Sequence, residues 1–182
     1  MAAPAERLRW TVDQLDLDPH DRVLEVGCGH GVMVTLLAER LTNGHVTALD
    51  RSPTMVAAAE ARNEEAVRAG RVAAVCGSFG AVRLDASDVD HVLAVNVAAF
   101  ARQPEVCLRE TARVLRPGGR LWWAFQTPGG APDRLVDALT AALRDARFQE
   151  VEERQHQLRD GSSITLVVAR RPDLGDELSP AS

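Results

Sequence analysis

Within the stretch "VLEVGCGHG", residues 23–31, a carboxylate at Glu25 precedes glycines at alternate positions, Gly27, Gly29 and Gly31. A strand that passes straight into a helix through such a loop brings free N–H groups, and the partial positive charge of the helix start, against a ligand. Glycine allows both the close approach and the positive φ of the turn. Dinucleotide sites space their glycines G-x-G-x-x-G and seat a pyrophosphate on the helix start. Here the spacing is G-x-G-x-G, with an acid two residues ahead of the first glycine. That acid would repel a pyrophosphate but suits a ligand bearing an ammonium group. Asp50 closes a second apolar run, "HVTALD", where an acidic side chain can accept from both hydroxyls of a ribose. The ligand implied has a ribose, a positive end and no phosphate.

Other side chains that could do chemistry are few. Among five histidines, His30 lies inside the glycine loop and is a weak candidate for a catalytic role; His20, His45, His91 and His156 read as structural or solvated. Cys28, Cys76 and Cys107 have neither CxxC nor Cys/His ligand spacing, which suits small buried hydrophobes in a reducing compartment and gives no metal site. Trp122 and Trp123 read as core, whereas Gln126 and Thr127 fall just past the same strand, where open α/β sheets bind ligands.

These residues need a frame, and the hydrophobic periodicity supplies one. Leu8, Val12 and Leu15 predict a first helix, ended by "DLDPHD". "RVLEV" is a strand, and Val32, Leu36, Leu37 and Leu41 predict the helix after the loop. "HVTALD", "RVAAV", "VDHVLAV" and "RLWWAF" are further strands. "SPTMVAAAEARNEEAVRAG" reads as one helix with Ser52 as N-cap, and "QPEVCLRETARVL" as another. Strands alternating with helices predict a parallel sheet covered on both faces. The end differs: Leu135, Leu139 and Leu143 mark a helix, and two strand-like runs flank the turn signal Asp160–Gly161. The expected organisation is an N-terminal helix over 1–20, one α/β domain over 21–171 and a polar, disordered tail over 172–182. The helix around Leu8, Trp10 and Val12 is expected to cover the carboxyl ends of the strands as a lid.

"EVGCGHG", Asp50, "VLRPGG" before the fifth strand and the terminal hairpin together resemble the class I S-adenosylmethionine-dependent methyltransferases, over roughly residues 20–170. The resemblance implies a Rossmann-like seven-stranded α/β sheet in the order 3-2-1-4-5-7-6, with strand 7 antiparallel and helices on both faces. It implies S-adenosyl-L-methionine as cofactor: Gly27, Cys28, Gly29 and Gly31 beside the methionine part, Glu25 beneath the loop, organising it or meeting the ammonium through water, Asp50 on the ribose, and Arg51 and Met55 flanking the adenine. Gly77, Ser78 and Phe79 stand where the family commonly has Gly-Asp-Ala facing the adenine amino group. Asn96 and Val97 correspond to the lining of the methyl-transfer site. The implied activity is methyl transfer to an N or O atom of a small-molecule acceptor. The alternatives are a catalytically silent cofactor-binding subunit and, more remotely, a nicotinamide oxidoreductase.

Composition narrows the partners. The net charge of −5, with 21 basic residues that are all arginine, offers no basic stripe for a phosphate backbone, so nucleic acid is an unlikely partner. All-arginine, alanine-rich usage is the habit of high-GC bacterial genomes. The N-terminus has no apolar targeting region and no window approaches the ~18 apolar residues of a membrane span, so a cytoplasmic location is expected. The alternatives to its role as a lid are that the first helix packs on the sheet or forms a homodimer contact.

Overall fold

The computed structural model describes residues 5–128 and 133–173. In chain order the elements are α1 (Glu6–Gln14), β1 (Arg22–Val26), α2 (Val32–Arg40), β2 (His45–Asp50), α3 (Pro53–Arg62), α4 (Glu64–Arg68), β3 (Val72–Cys76), β4 (Val89–Val95), α5 (Ala98–Arg102), α6 (Pro104–Val114), β5 (Leu115–Pro128), α7 (Asp133–Asp145), β6 (Gln149–Gln157) and β7 (Ser162–Arg170). The strands form one sheet in the order β3-β2-β1-β4-β5-β7-β6. β1 to β5 pair in parallel, and β7 runs antiparallel to both β5 and β6, so the sheet order implied by the resemblance is the one observed. Residues 174–182 of the expected tail lie outside the described residues, as does the start of the helix expected from residue 131.

Side chains alternate across the strands and build a core on each face. Val23, Val46, Leu93, Trp122 and Leu166 belong to one, with Val34 and Leu37 of α2. Leu24, Leu49, Val92, Trp123 and Val167 belong to the other, with Leu108 of α6 and Leu143 of α7. Trp122 and Trp123, adjacent in sequence, thus fill opposite cores, which supports their reading as packing residues.

The lid expected of the first helix is corrected. α1 lies along the sheet face instead of across its carboxyl ends. Val12 and Leu15 are buried in the same core as Trp122, Ile164 and Leu166. At its start Glu6 accepts from the backbone N–H of Arg159 in the β6–β7 turn, and at its end the carbonyl of Gln14 accepts from Arg154. An amphipathic helix of this length is held by the apolar stripe it buries, and that stripe is committed to the sheet.

The single helix expected over residues 52–70 is interrupted. Asn63 leaves helical geometry, with φ −110° and ψ 24°, and separates α3 from α4. Its side chain takes up the carbonyl of Ala59 near the end of α3, and this local side-chain bond competes with helix continuation.

At the amino end of β4, buried His91 is bonded on both ring nitrogens, Nε2 to Asp21 Oδ2 at 3.0 Å and Nδ1 to the indole N–H of Trp122 at 3.0 Å. Since Trp122 can only donate, Nδ1 accepts and Nε2 carries the proton toward Asp21. Burial pulls His91 below its ordinary value of 6.5, against the pull of the neighbouring carboxylates. A group depressed in the folded state contributes stability that is complete above pH 6.5 and is lost as pH falls below it. The stability advantage of the unsubstituted protein over His91→Gln should therefore shrink as pH falls below 6.5, which paired acid titrations of the melting temperature measure. An advantage that stays constant with pH would overturn the assignment.

Candidate functional site

The site forms where β1, β2 and β4 end side by side. Gly27 and Cys28 both donate their N–H to the carbonyl of Leu49 on β2, at 2.7 and 3.0 Å, so the glycine loop is stapled to the neighbouring strand. Gly27, Gly29 and Gly31 all have positive φ, at 75°, 51° and 73°. Their surroundings differ. A Cβ on Gly27 would stand 2.7 Å from Val97 Cγ2, and one on Gly31 would stand 2.8 Å from Ala59 Cα. A Cβ on Gly29 would meet nothing within 4 Å. The two outer glycines are required by the protein's own packing, whereas the middle one faces open space.

Beneath the loop Glu25 is 4% exposed, and its Oε2 has no hydrogen-bond partner. Leu93 and Ala48 flank it in register on the adjacent strands. Burial, and secondarily the charge of Asp50, push its carboxyl up to about 8. The Cys28 thiol is pushed up to about 12, by burial first and then by Glu25 and Asp50, so it stays protonated and unreactive.

Asp50, at the end of β2, accepts from Gly29 N–H at 3.0 Å through Oδ2 and from Ser52 N–H at 2.9 Å through Oδ1. A carboxylate offers about four acceptor positions, so two remain for outside donors. Ser52 caps α3 by accepting from Met55 N–H, which places half-buried Met55 one turn from Asp50; Arg51 is exposed beside it. Gly77 N–H donates to the carbonyl of Asp50, bringing Gly77 and exposed Ser78 to the same rim, and Phe79 stacks on Phe100 at 5.9 Å.

On the other side Asn96 sits in the left-handed region at φ 56°, which asparagine tolerates better than most residues. Its Oδ1 accepts from the N–H of Gln126 at 2.7 Å, tying the end of β4 to β5. Gln126 in turn donates to Ser162 Oγ at 2.6 Å, and the Thr127 hydroxyl is buried without a partner. His30 is exposed; the contact its residue makes is through the backbone, whose carbonyl accepts from Arg62. The residues selected from the sequence therefore gather along one rim, from Ser78 through Asp50 and Gly29 to Asn96. Asn63 and Arg62, which also touch the loop, were not among them.

The chain matches the family model described as a methyltransferase domain over residues 24–123. It is 31% identical to the uncharacterized methyltransferase YdaC of Bacillus subtilis over 178 residues, covering 94% of this chain and 96% of that protein. The chain belongs to the methyltransferase domain family. Solved structures agree on the fold of this methyltransferase. A SAM-dependent methyltransferase from Aquifex aeolicus superposes with a TM-score of 0.72 at 21% identity, covering 90% of this chain and 89% of that one. The [4+2]-cyclase SpnF superposes at 0.77 and 19% identity, covering 91% and 80%.

Family and fold imply S-adenosyl-L-methionine as the cofactor of the methyltransferase, and the residues present fit it. The orphaned Glu25 oxygen suits its ammonium, the spare acceptor positions of Asp50 suit a ribose diol, and the open space at Gly29 admits a chain that no side chain fills. Asp50→Ala removes the carboxylate whose spare acceptor positions suit that diol and releases the Gly29 N–H. Affinity for S-adenosylhomocysteine should fall by about 1.5–3 kcal/mol, roughly ten- to hundredfold, in a protein that still melts cooperatively. Calorimetric titration measures it, and a folded variant of unchanged affinity would remove Asp50 from the site.

Proposed function

We propose that this methyltransferase transfers the methyl group of S-adenosylmethionine to an N or O atom of a small-molecule acceptor. The observation that supports the reading is the buried, unpartnered Glu25 oxygen on β1, just before the glycine loop whose middle glycine faces open space and is bonded to Asp50. When bound, the cofactor supplies an electrophilic methyl on a sulfonium centre. The chain's own residues then have positional work: Asp50 orients the ribose, Glu25 meets the ammonium, and Val97 and Asn96 hold the acceptor side of the loop. Gln126 and Thr127, expected past the strand, lie within the last residues of β5, paired with Ile164 and Ser163 of β7; they are the polar groups at that carboxyl end nearest an acceptor, Gln126 fixed by Ser162 and the Thr127 hydroxyl buried without a partner. A small acceptor is favoured because the acidic chain has no basic stripe for a polyanion.

The test is to supply S-adenosylmethionine with a panel of small amines, phenols and carboxylic acids and to measure S-adenosylhomocysteine release. Turnover with an amine or a hydroxyl compound is expected. Cofactor binding without release across the panel would favour the silent-subunit alternative, and absence of cofactor binding would defeat the reading itself.

A further inference from the structure

Two consecutive residues at the end of α3 hold two consecutive carbonyls of the glycine loop. Arg62 Nε donates to the carbonyl of His30 at 2.8 Å. Asn63 Nδ2 donates to the carbonyl of Gly31 at 3.1 Å as well as to that of Ala59 at 2.8 Å. Asn63 Oδ1 accepts from the hydroxyl of Thr35, on the first turn of α2, at 2.8 Å. Asn63 is itself 6% exposed. Capping α3 needs only the bond to Ala59; the remaining donor and the acceptor are both spent on the loop and on the helix that follows it. A buried amide with its bonds so divided fixes the relative placement of two elements, because misplacing either leaves a polar group unsatisfied.

We propose that Asn63, assisted by Arg62, is the positioning residue of the cofactor loop, an inference that rests on the function proposed above. The carbonyl and N–H of a trans peptide point in opposite directions. The Gly31 carbonyl accepts the first backbone bond of α2, from Thr35 N–H at 3.1 Å, and the Asn63 bond adds a second hold on it from α3, so that the Val32 N–H, a first-turn donor with no partner inside α2, is kept aimed the other way. α3 also begins next to Asp50, through the Ser52 cap, so one helix sets both the ribose acid and the far end of the loop. The contact of Gly31 against Ala59 and Asn63 belongs to the same arrangement: the helix lies too close for any side chain at position 31.

The test compares Asn63→Leu with Val12→Ala, a core variant on α1 outside the cofactor rim, by melting temperature, calorimetric affinity for S-adenosylhomocysteine and amide resonances. Asn63→Leu should bind about tenfold more weakly and displace the amide signals of Gly29, Gly31 and Val32 while leaving Gly161 in place. Val12→Ala should lose stability with affinity and loop signals kept. Thr35→Val, which removes one of the Asn63 bonds without placing a bulky group at that junction, should shift the same amides with a smaller loss of affinity. It carries the test if Asn63→Leu does not fold. Wild-type affinity and unmoved loop amides in a folded Asn63→Leu, or in Thr35→Val, would overturn the proposal. If the unsubstituted protein does not bind S-adenosylhomocysteine, the proposed function fails instead, and the loop amides still report whether Asn63 sets the loop.

Discussion

A valine in place of Gly29 should abolish cofactor binding in a protein that stays folded, whereas an alanine at Gly31 should damage the fold itself. The contrast comes from what each side chain would meet. At Gly29 a Cβ enters open space and pays only for the left-handed backbone, roughly 1–2 kcal/mol. That open space is where the methionine part of the cofactor would lie. At Gly31 the same backbone cost is joined by contacts of 2.7–2.9 Å with Asn63 Nδ2, Ala59 Cα and Ala59 Cβ. Overpacking of this kind costs about 1–3 kcal/mol more, so Gly31→Ala should lower the melting temperature by about 4–20 °C at this chain length. Differential scanning calorimetry combined with titration of S-adenosylhomocysteine separates the two effects. A Gly29→Val protein that binds normally would move the cofactor away from this loop.

The second large effect concerns protons. With its carboxyl pushed up to about 8, Glu25 is protonated in the empty protein at neutral pH. Asp50 at the end of β2 and the Cys28 thiol in the loop are the charged and titratable groups near it, and Leu93 and Ala48 flank it on the adjacent strands. An ammonium brought against the orphaned oxygen favours the carboxylate, so cofactor binding should release close to one proton per site between about pH 5.5 and 7.5. Affinity should rise with pH across that window, by up to about tenfold per unit. Titration in buffers of different ionisation enthalpy counts the proton, and Glu25→Gln should release none and bind with little pH dependence. The sign for stability is opposite to that of His91. A carboxyl raised in the folded state stabilises fully below its unfolded value near 4.5, and that contribution is lost as pH rises through about 8. Relative to Glu25→Gln, the empty protein should therefore lose stability over this range, by no more than about 5 kcal/mol at 1.36 kcal/mol per unit. Wild-type binding without proton release would mean that Glu25 does not meet the ammonium.

Much of this arrangement was legible because its signals are local. The strands His45–Asp50 and Val89–Val95 coincide with the apolar runs read from the sequence, and the hairpin turns at Asp160–Gly161 as its dipeptide suggests. The glycine spacing pointed to a ligand loop, Glu25 to a positive end on its ligand and Asp50 to a ribose, and the function proposed above rests on those readings. What could not be read depends on partners distant in the chain. Periodicity carried a helix straight through Asn63, because its apolar pattern does not register the side-chain bond by which Asn63 takes up the Ala59 carbonyl, nor the bonds to Gly31 and Thr35 on another element that hold Asn63 in that place. The first helix was identified, but its orientation follows from how Val12 meets Trp122 and Leu166. Nothing in the order of residues foretold that a Trp indole and an Asp would saturate both nitrogens of His91. The unequal demands on Gly27, Gly29 and Gly31, identical in sequence pattern, likewise come from Val97 and α3 closing on two of them.

The strand order also governs how the chain reaches its folded state. β6 and β7 are joined by a short turn and can pair at once, but β1 must wait for β4, since the residues that meet there, such as Arg22 and Asp90, are 68 positions apart. Closing so long a loop slows assembly, and central parallel strands remain exposed to wrong pairings until it is done. Gly27 and Val97, which form the rim facing β4, are brought together only by that late step. A partly folded chain thus holds a finished hairpin but no finished pocket, so that retention of the cofactor reports completion of folding, and the cofactor, binding the completed sheet alone, draws the chain toward it by mass action.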